Sequence, residues 1–118
     1  MFAYENLEVY NKAYRANRKV YSLIKENRTI SSYVKNQLGK ASLSIMLNIA
    51  EGTAKFSNRD RRNFYVMARG SAFECSSLIS FCHEEKEIET PIRDILYHSY
   101  EEISRMLFVM IRNLSKPE

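Results

Sequence analysis

The hydrophobic positions of this chain repeat at intervals of three and four residues along four long segments, and no segment alternates with the period of two typical of a β-strand. These segments cover residues 5–27, 31–51, 58–84 and 91–114. Four amphipathic helices joined by short connections pack antiparallel to their neighbours. The pattern therefore predicts one all-α domain over residues 1–118, an antiparallel up-and-down four-helix bundle.

Each predicted helix has an apolar stripe that we expect to face the core. In the first helix the stripe is Leu7, Tyr10, Ala13, Tyr14, Asn17, Val20, Tyr21 and Ile24. In the second it is Val34, Leu38, Ala41, Ile45 and Ile49. In the third helix the stripe is Phe64, Ala68, Ser71, Cys75, Leu78 and Cys82. In the fourth helix it is Ile92, Leu96, Ser99, Ile103, Met106, Met110 and Leu114, and Leu107 and Ile111 make this stripe broader. This assignment leaves Tyr33 and Tyr65 at the surface.

The helix ends are predicted from capping residues. Gly52 is expected to end the second helix in a left-handed conformation, and Ser57 to cap the third. Thr90 is expected to cap the fourth helix, with Pro91 at its first position. Antiparallel packing then places the second connection and both termini at one end of the bundle, and the acidic third connection at the other.

The composition favours long helices in a soluble protein. Only 3 Gly and 2 Pro are available for turns among 118 residues. The longest apolar run, residues 106–111, is far below the roughly 20 residues that a membrane span needs. The N-terminus lacks the pattern of a signal peptide, and Cys75 and Cys82 read as reduced core residues. We therefore expect a cytoplasmic protein.

Catalytic and metal-binding motifs are weak, so the sequence predicts a protein that is not an enzyme and needs no cofactor or metal. A di-iron bundle needs Glu-x-x-His pairs, and neither His83 nor His98 has a carboxylate three residues before it. Asp94 and His98 lie one turn apart and could share a metal, but a surface pair is favoured. The 3 glycines are too far apart to form a phosphate-binding loop.

Positive charge is concentrated in the first part of the chain. Residues 12–69 contain 13 Lys and Arg against 3 Asp and Glu, whereas residues 70–118 contain 5 against 9. A contiguous basic surface in the folded chain would bind a polyanion, in a manner strongly dependent on salt. The candidate nucleic-acid-binding residues are Arg15, Arg18, Lys19, Lys55, Arg59, Arg61, Arg62 and Arg69.

The same charges allow a second interpretation. Contact between the basic region of one subunit and the acidic region around Glu84, Glu85, Glu87 and Glu89 of another would build a ring. The alternative function is therefore a scaffold or adaptor ring that binds a protein partner, with the charges serving self-assembly.

Three motifs resemble those of a known family. They are Leu7-x-Val9-Tyr10-x-Lys12-Ala13 near the start, Gln37-Leu38-x-x-Ala41-Ser42-x-Ser44-Ile45-x-x-Asn48-Ile49-Ala50-Glu51-Gly52, and Phe64 followed by Ala68-x-Gly70-Ser71-Ala72-x-Glu74. Together they resemble the four-helix bundle proteins encoded in 23S rRNA intervening sequences. This resemblance implies a homopentameric ring, and kinship with the basic, nucleic-acid-binding accessory variability proteins of diversity-generating retroelements. Two features depart from the family pattern: Cys75 stands where an aliphatic residue is usual, and the second connection is unusually rich in arginine.

The polar residues of these motifs need a physical role, since a buried carboxylate requires partners. We predict a structural polar network or subunit interface formed by Gln37, Ser44, Asn48, Glu51, Ser71 and Glu74. A small-molecule or metal pocket between the second and third helices is the functional alternative.

Overall fold

The protein, described here by a computed structural model, consists of a 3₁₀ turn and four α-helices. The structure describes residues 1–115. The turn covers Ala3–Asn6, and the helices are α1 (Glu8–Glu26), α2 (Ser32–Thr53), α3 (Asn58–Glu84) and α4 (Thr90–Leu114). The described part of the chain contains no strand, which confirms the predicted all-α class, and each helix end lies within three residues of its prediction.

The helices form a closed ring of neighbours. Helix α1 packs against α2 and α4, and α3 packs against the same two helices. Within residues 1–115 the backbones of the diagonal pairs α1–α3 and α2–α4 stay more than 8 Å apart, measured between Cα atoms. At one end Asn27 Nδ2 donates a 2.8 Å hydrogen bond to the Glu87 carbonyl and joins the first and third connections. At the other end Arg62 Nε donates to Ser115 Oγ at 2.8 Å. The up-and-down bundle and its distribution of loops are confirmed.

The core stripe of α2 is correctly predicted. All five of its members are buried, and the largest of them, Leu38, Ile45 and Ile49, are no more than 1% exposed. The same holds for Leu96 and Ile103 on α4. On both helices the buried aliphatic residues recur at the spacing of one helix face, although each helix also carries exposed aliphatic residues such as Leu47 and Ile95.

The predicted stripe of α1 is wrong by a partial rotation about the helix axis. Tyr14 and Tyr21 are 46% and 63% exposed, and the buried residues are Val9, Ala13, Ala16 and Val20. Small side chains on the contact face allow close helix packing, whereas tyrosine tolerates partial exposure because its ring is apolar and its hydroxyl polar. The prediction was right for Ala13 and Val20, wrong for Tyr14 and Tyr21, and it missed Val9 and Ala16.

Helix α3 is rotated in a similar way. Its core face contains Tyr65, Ala72 and Ile79 in place of the predicted Phe64, Ser71 and Leu78. Tyr65, predicted at the surface, is buried, and its hydroxyl shares a 2.8 Å hydrogen bond with the hydroxyl of Thr53. This polar partner satisfies the hydroxyl and permits the burial.

Glycine and cap positions differ from the prediction at three points. Gly52 does not adopt a positive φ, and α2 continues through it to Thr53. Gly52 instead allows α2 to pack closely on α3, since a Cβ at this position would lie 2.9 Å from Phe64 Cβ. Thr90 is the first residue of α4 and the capping position is Glu89. The residue in the left-handed region is Lys86, with φ 62°. Ser57 caps α3 as predicted, accepting a hydrogen bond from the Asp60 amide at 3.1 Å.

Candidate functional site

The eight predicted basic residues fall into two groups on different helices. Arg15, Arg18 and Lys19 belong to the middle of α1 and line a groove against α4, next to the partly exposed Ile92 and Ile95. The other five lie on the second connection and on α3, the helix diagonal to α1. At 1.5 Å per residue, Arg15 also lies about 10 Å along the axis from the start of α1. The structure therefore divides the predicted surface in two.

The second group begins at the end of the bundle, where α2 passes into α3. Lys55 Nζ lies 5.0 Å from the centre of the Phe64 ring. Arg61 folds back over the connection, and its Nη2 donates a 2.7 Å hydrogen bond to the Lys55 carbonyl. Arg59 is exposed and Arg62 half-buried. Arg61 thus holds the connection in shape, while Arg59, Arg62 and Lys55 give this end its accessible positive charge. We call these last three residues the basic end.

Above the basic end, a groove of about 330 Å³ runs between α3 and α4. Arg69 lies in it between two aromatic rings, with its guanidinium carbon 4.7 Å from the centre of Phe73 and 5.6 Å from that of Phe108. Both rings are 53% exposed. Arg105 and Tyr97 complete this side of the groove. We call these five residues the arginine–aromatic face.

The α4 part of this face was missed by sequence reasoning. Because residues 70–118 are acidic as a whole, their net charge hides the arginines that α4 presents toward α3. Arg105, Phe108 and Arg112 follow one another at intervals of three and four, so they share one side of a helix. That spacing was the available signal. A third arginine of α4, Arg93, lies 4.3 Å from the centre of the Tyr97 ring.

The candidate basic residues are not neutralised by carboxylates. Within residues 1–115 the ion pairs join Lys12 to Glu8 and Glu102, Arg93 to Asp94, and His98 to Glu102. A hydrogen bond and charge attraction from Lys12 lower the pKa of Glu102. None of the eight predicted residues has a carboxylate oxygen within 4.0 Å in this part of the chain. Their charge is therefore available to an external anion.

The six predicted polar residues separate into a hydrogen-bonded trio and an exposed trio. Ser71 Oγ donates to Ser44 Oγ at 3.0 Å, and Asn48 Nδ2 donates to the same oxygen at 2.8 Å. This cluster joins α3 to α2. The remaining three residues, Gln37, Glu51 and Glu74, are exposed and do not take part in it.

The surface around the exposed trio contains large apolar side chains. Leu47 on α2 and Met67 and Phe81 on α3 are each about half exposed. Gly70 is also exposed in the middle of α3, and a Cβ built there would meet no atom within 4 Å. We call Leu47, Met67, Gly70 and Phe81 the apolar α2–α3 face. Contact with another molecule would remove these apolar side chains from water, so this face is a candidate contact surface.

The buried cysteines and the buried Tyr100 of the core stay protonated near neutral pH. Burial raises the pKa of the Cys75 thiol to about 12 and that of Cys82 to about 11, so neither is a thiolate near neutral pH. The Tyr100 hydroxyl lies near Cys75 and the Ser42 hydroxyl, without reaching hydrogen-bond geometry with a partner in the described residues. Burial also raises the pKa of Tyr100. These side chains form a neutral polar group inside the core.

Within residues 1–115, no three His, Cys, Asp or Glu side chains come together in a way that could hold a metal ion. In the same part of the chain, none of the helices combines the length and the apolar character required to cross a bilayer.

Comparison with known proteins places the sequence in a family. The family model described as 23S rRNA-intervening sequence protein matches residues 5–109. The chain belongs to this family. The resemblance found in the three motifs is thereby confirmed over nearly the whole length of the intervening-sequence protein.

A solved structure shares the fold. It is that of a protein with unknown function from the S23 ribosomal protein family of Bacteroides thetaiotaomicron VPI-5482, with a TM-score of 0.84 and 21% sequence identity, covering 88% of this chain and 98% of the other. At this identity the likeness establishes the fold alone. No curated protein matches the chain.

Proposed function

We propose that this intervening-sequence protein is a non-enzymatic homo-oligomer that binds structured RNA or DNA. The observation that carries this proposal is the run of unneutralised cationic side chains from the basic end to the arginine–aromatic face. Phosphate contacts by Lys and Arg supply most of the sequence-independent affinity of nucleic-acid-binding proteins. Arginine is well suited to this role because its planar guanidinium can pair with two phosphate oxygens.

Assembly has its own support in the apolar α2–α3 face. Each large apolar side chain removed from water contributes roughly 1.5–3 kcal/mol when fully buried, and three such side chains are half exposed on this face. The family resemblance makes a pentameric ring the proposed assembly. In such a ring each subunit would contribute one basic end, which multiplies the contacts to one polyanion.

Binding is tested by fluorescence anisotropy with a labelled RNA hairpin at low salt. The test variant carries Lys55→Ala, Arg59→Ala and Arg62→Ala, which remove the basic end without touching the loop-holding Arg61. We expect the wild type to bind and this variant to bind at least tenfold more weakly, because three charge-assisted contacts are lost.

The matched control removes the same number of charges from the diagonal helix, through Arg15→Ala, Arg18→Ala and Lys19→Ala. This second variant should retain affinity close to that of the wild type. Absence of wild-type binding at low salt, or an equal loss in both variants, contradicts the proposed surface.

The second candidate function is a scaffold or adaptor ring that binds a protein, favoured specifically by the apolar α2–α3 face. Light scattering at increasing salt concentration shows whether the ring is held together by charge or by apolar contacts. A ring held by basic-to-acidic contacts dissociates as salt screens them, whereas one held by apolar burial persists. A stable ring that binds no nucleic acid at any salt concentration would favour the scaffold.

A further inference from the structure

We propose that the arginine–aromatic face binds unpaired nucleotides, such as those of a hairpin loop, by stacking bases on Phe73 and Phe108 while arginines hold the phosphates. This inference rests on the proposed function and names the form of nucleic acid recognised. Of the five residues of this face, only Arg69 is among the sequence-based candidates. The inference depends on three features of the face: the exposure of its rings, the placement of its arginines and the shape of its groove.

The exposure of the two rings has no explanation within one subunit. Phe73 on α3 and Phe108 on α4 leave 53% of their surface in contact with water. Each of them contacts the guanidinium of Arg69, at 4.7 and 5.6 Å, so both exposed rings lie beside one cationic group. Aromatic rings beside cationic side chains are the usual means of holding single-stranded nucleic acid, since every base has a face that can stack.

The side chain of Arg69 is preorganised to bind an anion. Its contacts with two rings restrict its side chain before any ligand binds, which reduces the entropy lost on binding. Its Nε is inaccessible to solvent and has no hydrogen-bond partner in the described residues. Arg105 lies on the same groove, with Glu101 as the carboxylate among its lining residues. The groove therefore combines two guanidinium groups with one acidic side chain.

The shape of the site favours single strands over duplexes. Bases of a duplex are stacked on each other and cannot reach rings placed in a groove, whereas bases of loops and ends can be splayed out onto aromatic side chains. The groove volume of about 330 Å³ lies at the lower end of the range for pockets that enclose a small ligand. Its direction leads to the basic end, which can hold the adjoining backbone.

The experiment compares three RNA probes with the full chain: a hairpin with an unpaired loop, a blunt duplex of the same stem, and a single-stranded oligouridine. The test variants are Phe73→Leu and Phe108→Leu, which keep an apolar side chain but remove the stacking ring. We expect each to lower affinity for the hairpin and the oligouridine by roughly tenfold, and to leave affinity for the duplex unchanged. A 2-aminopurine base in the loop should be quenched by the wild type and less by the variants.

Tyr21→Leu is the matched control, because Tyr21 is an exposed aromatic residue (63%) on the diagonal helix α1, and its ring also lies beside a cation, with Lys25 Nζ 5.1 Å from its centre; this variant should behave like the wild type. Unchanged affinity for all probes in Phe73→Leu and Phe108→Leu overturns the stacking proposal, while continued duplex binding would leave the proposed function standing. A changed oligomeric mass in these two variants, measured by light scattering, would also overturn it, because the face would then be a subunit contact. Failure of the wild type to bind any probe removes the proposed function itself.

Discussion

Two helical glycines of this protein should respond in opposite ways to the same substitution. Gly52 lies where α2 crosses α3, and a Cβ there would be 2.9 Å from Phe64 Cβ and 2.9 Å from Tyr65 Cε1. Gly70 is exposed in α3, with nothing within 4 Å of an added Cβ. Alanine in place of glycine within a helix stabilises by roughly 0.5–1 kcal/mol when the new methyl group meets no obstacle.

The magnitudes follow from these surroundings. At Gly52 the obstructing Phe64 Cβ is fixed by the backbone of α3, so the helices must separate locally at a cost of about 1–3 kcal/mol. The separation also strains the hydrogen bond between Thr53 and Tyr65, a contact whose net contribution is about 1 kcal/mol. We therefore expect Gly52→Ala to lower the free energy of unfolding by about 1–3 kcal/mol after its helix-propensity gain is subtracted. We expect Gly70→Ala to raise it by roughly 0.5–1 kcal/mol.

Urea unfolding followed by circular dichroism at 222 nm measures both effects, at a protomer concentration low enough that the chain is monomeric, because assembly contributes to apparent stability. Equal effects of the two substitutions, or a stabilising Gly52→Ala, would refute the close packing of α2 on α3. Light scattering on Gly70→Ala also tests whether the apolar α2–α3 face is a subunit contact. A second subunit packed on this face would clash with the added methyl group, so the assembly would weaken.

Three other parts of the structure can be tested separately: the left-handed residue Lys86, the connection-joining Asn27, and the two buried cysteines. Lys86→Gly should raise the free energy of unfolding by about 0.5–1 kcal/mol, because glycine accepts the left-handed conformation without steric cost; Lys86→Ala should leave it unchanged. Asn27→Ala should lower it by about 1–2 kcal/mol through loss of the contact between two connections, as measured by thermal unfolding. Cys75 and Cys82 should resist a thiol reagent at pH 8 until urea unfolds the chain, and rapid labelling of the native protein would contradict their burial. Their raised pKa values also predict that stability is fully present below pH 9 and falls as pH rises through about 11 to 12, because the unfolded thiols lose protons first.

Sequence patterns predicted the architecture well because the breaks between helices are strongly marked. Ser57 and Pro91 stand close to the observed starts of α3 and α4, and the aliphatic positions of α2 define its buried side. Rotation about the helix axis was predicted poorly where a helix buries small residues beside large amphipathic ones. Ala16 on α1 and Ala72 on α3 are buried, while the polar residues one position away, Asn17 and Ser71, were assigned to the core.

The candidate site was only partly predictable, since it depends on contacts between helices. Net charge over long segments located Arg59, Arg62 and Arg69, but it concealed Arg105 behind the acidic residues of the same half. Arg69 contacts both Phe73 and Phe108, and these two rings come from positions 35 residues apart in the chain, so no local spacing contains that information.

The dependence of nucleic-acid affinity on salt tests the central claim most directly. For single-stranded ligands, log Kobs should fall with log salt concentration with a slope near −0.7 for each neutralised phosphate. Removing Lys55, Arg59 and Arg62 together should therefore reduce the slope by about 2 for each subunit in contact. A slope that is the same in the wild type and in this variant, or a wild-type affinity that does not change with salt, would contradict binding through the basic end.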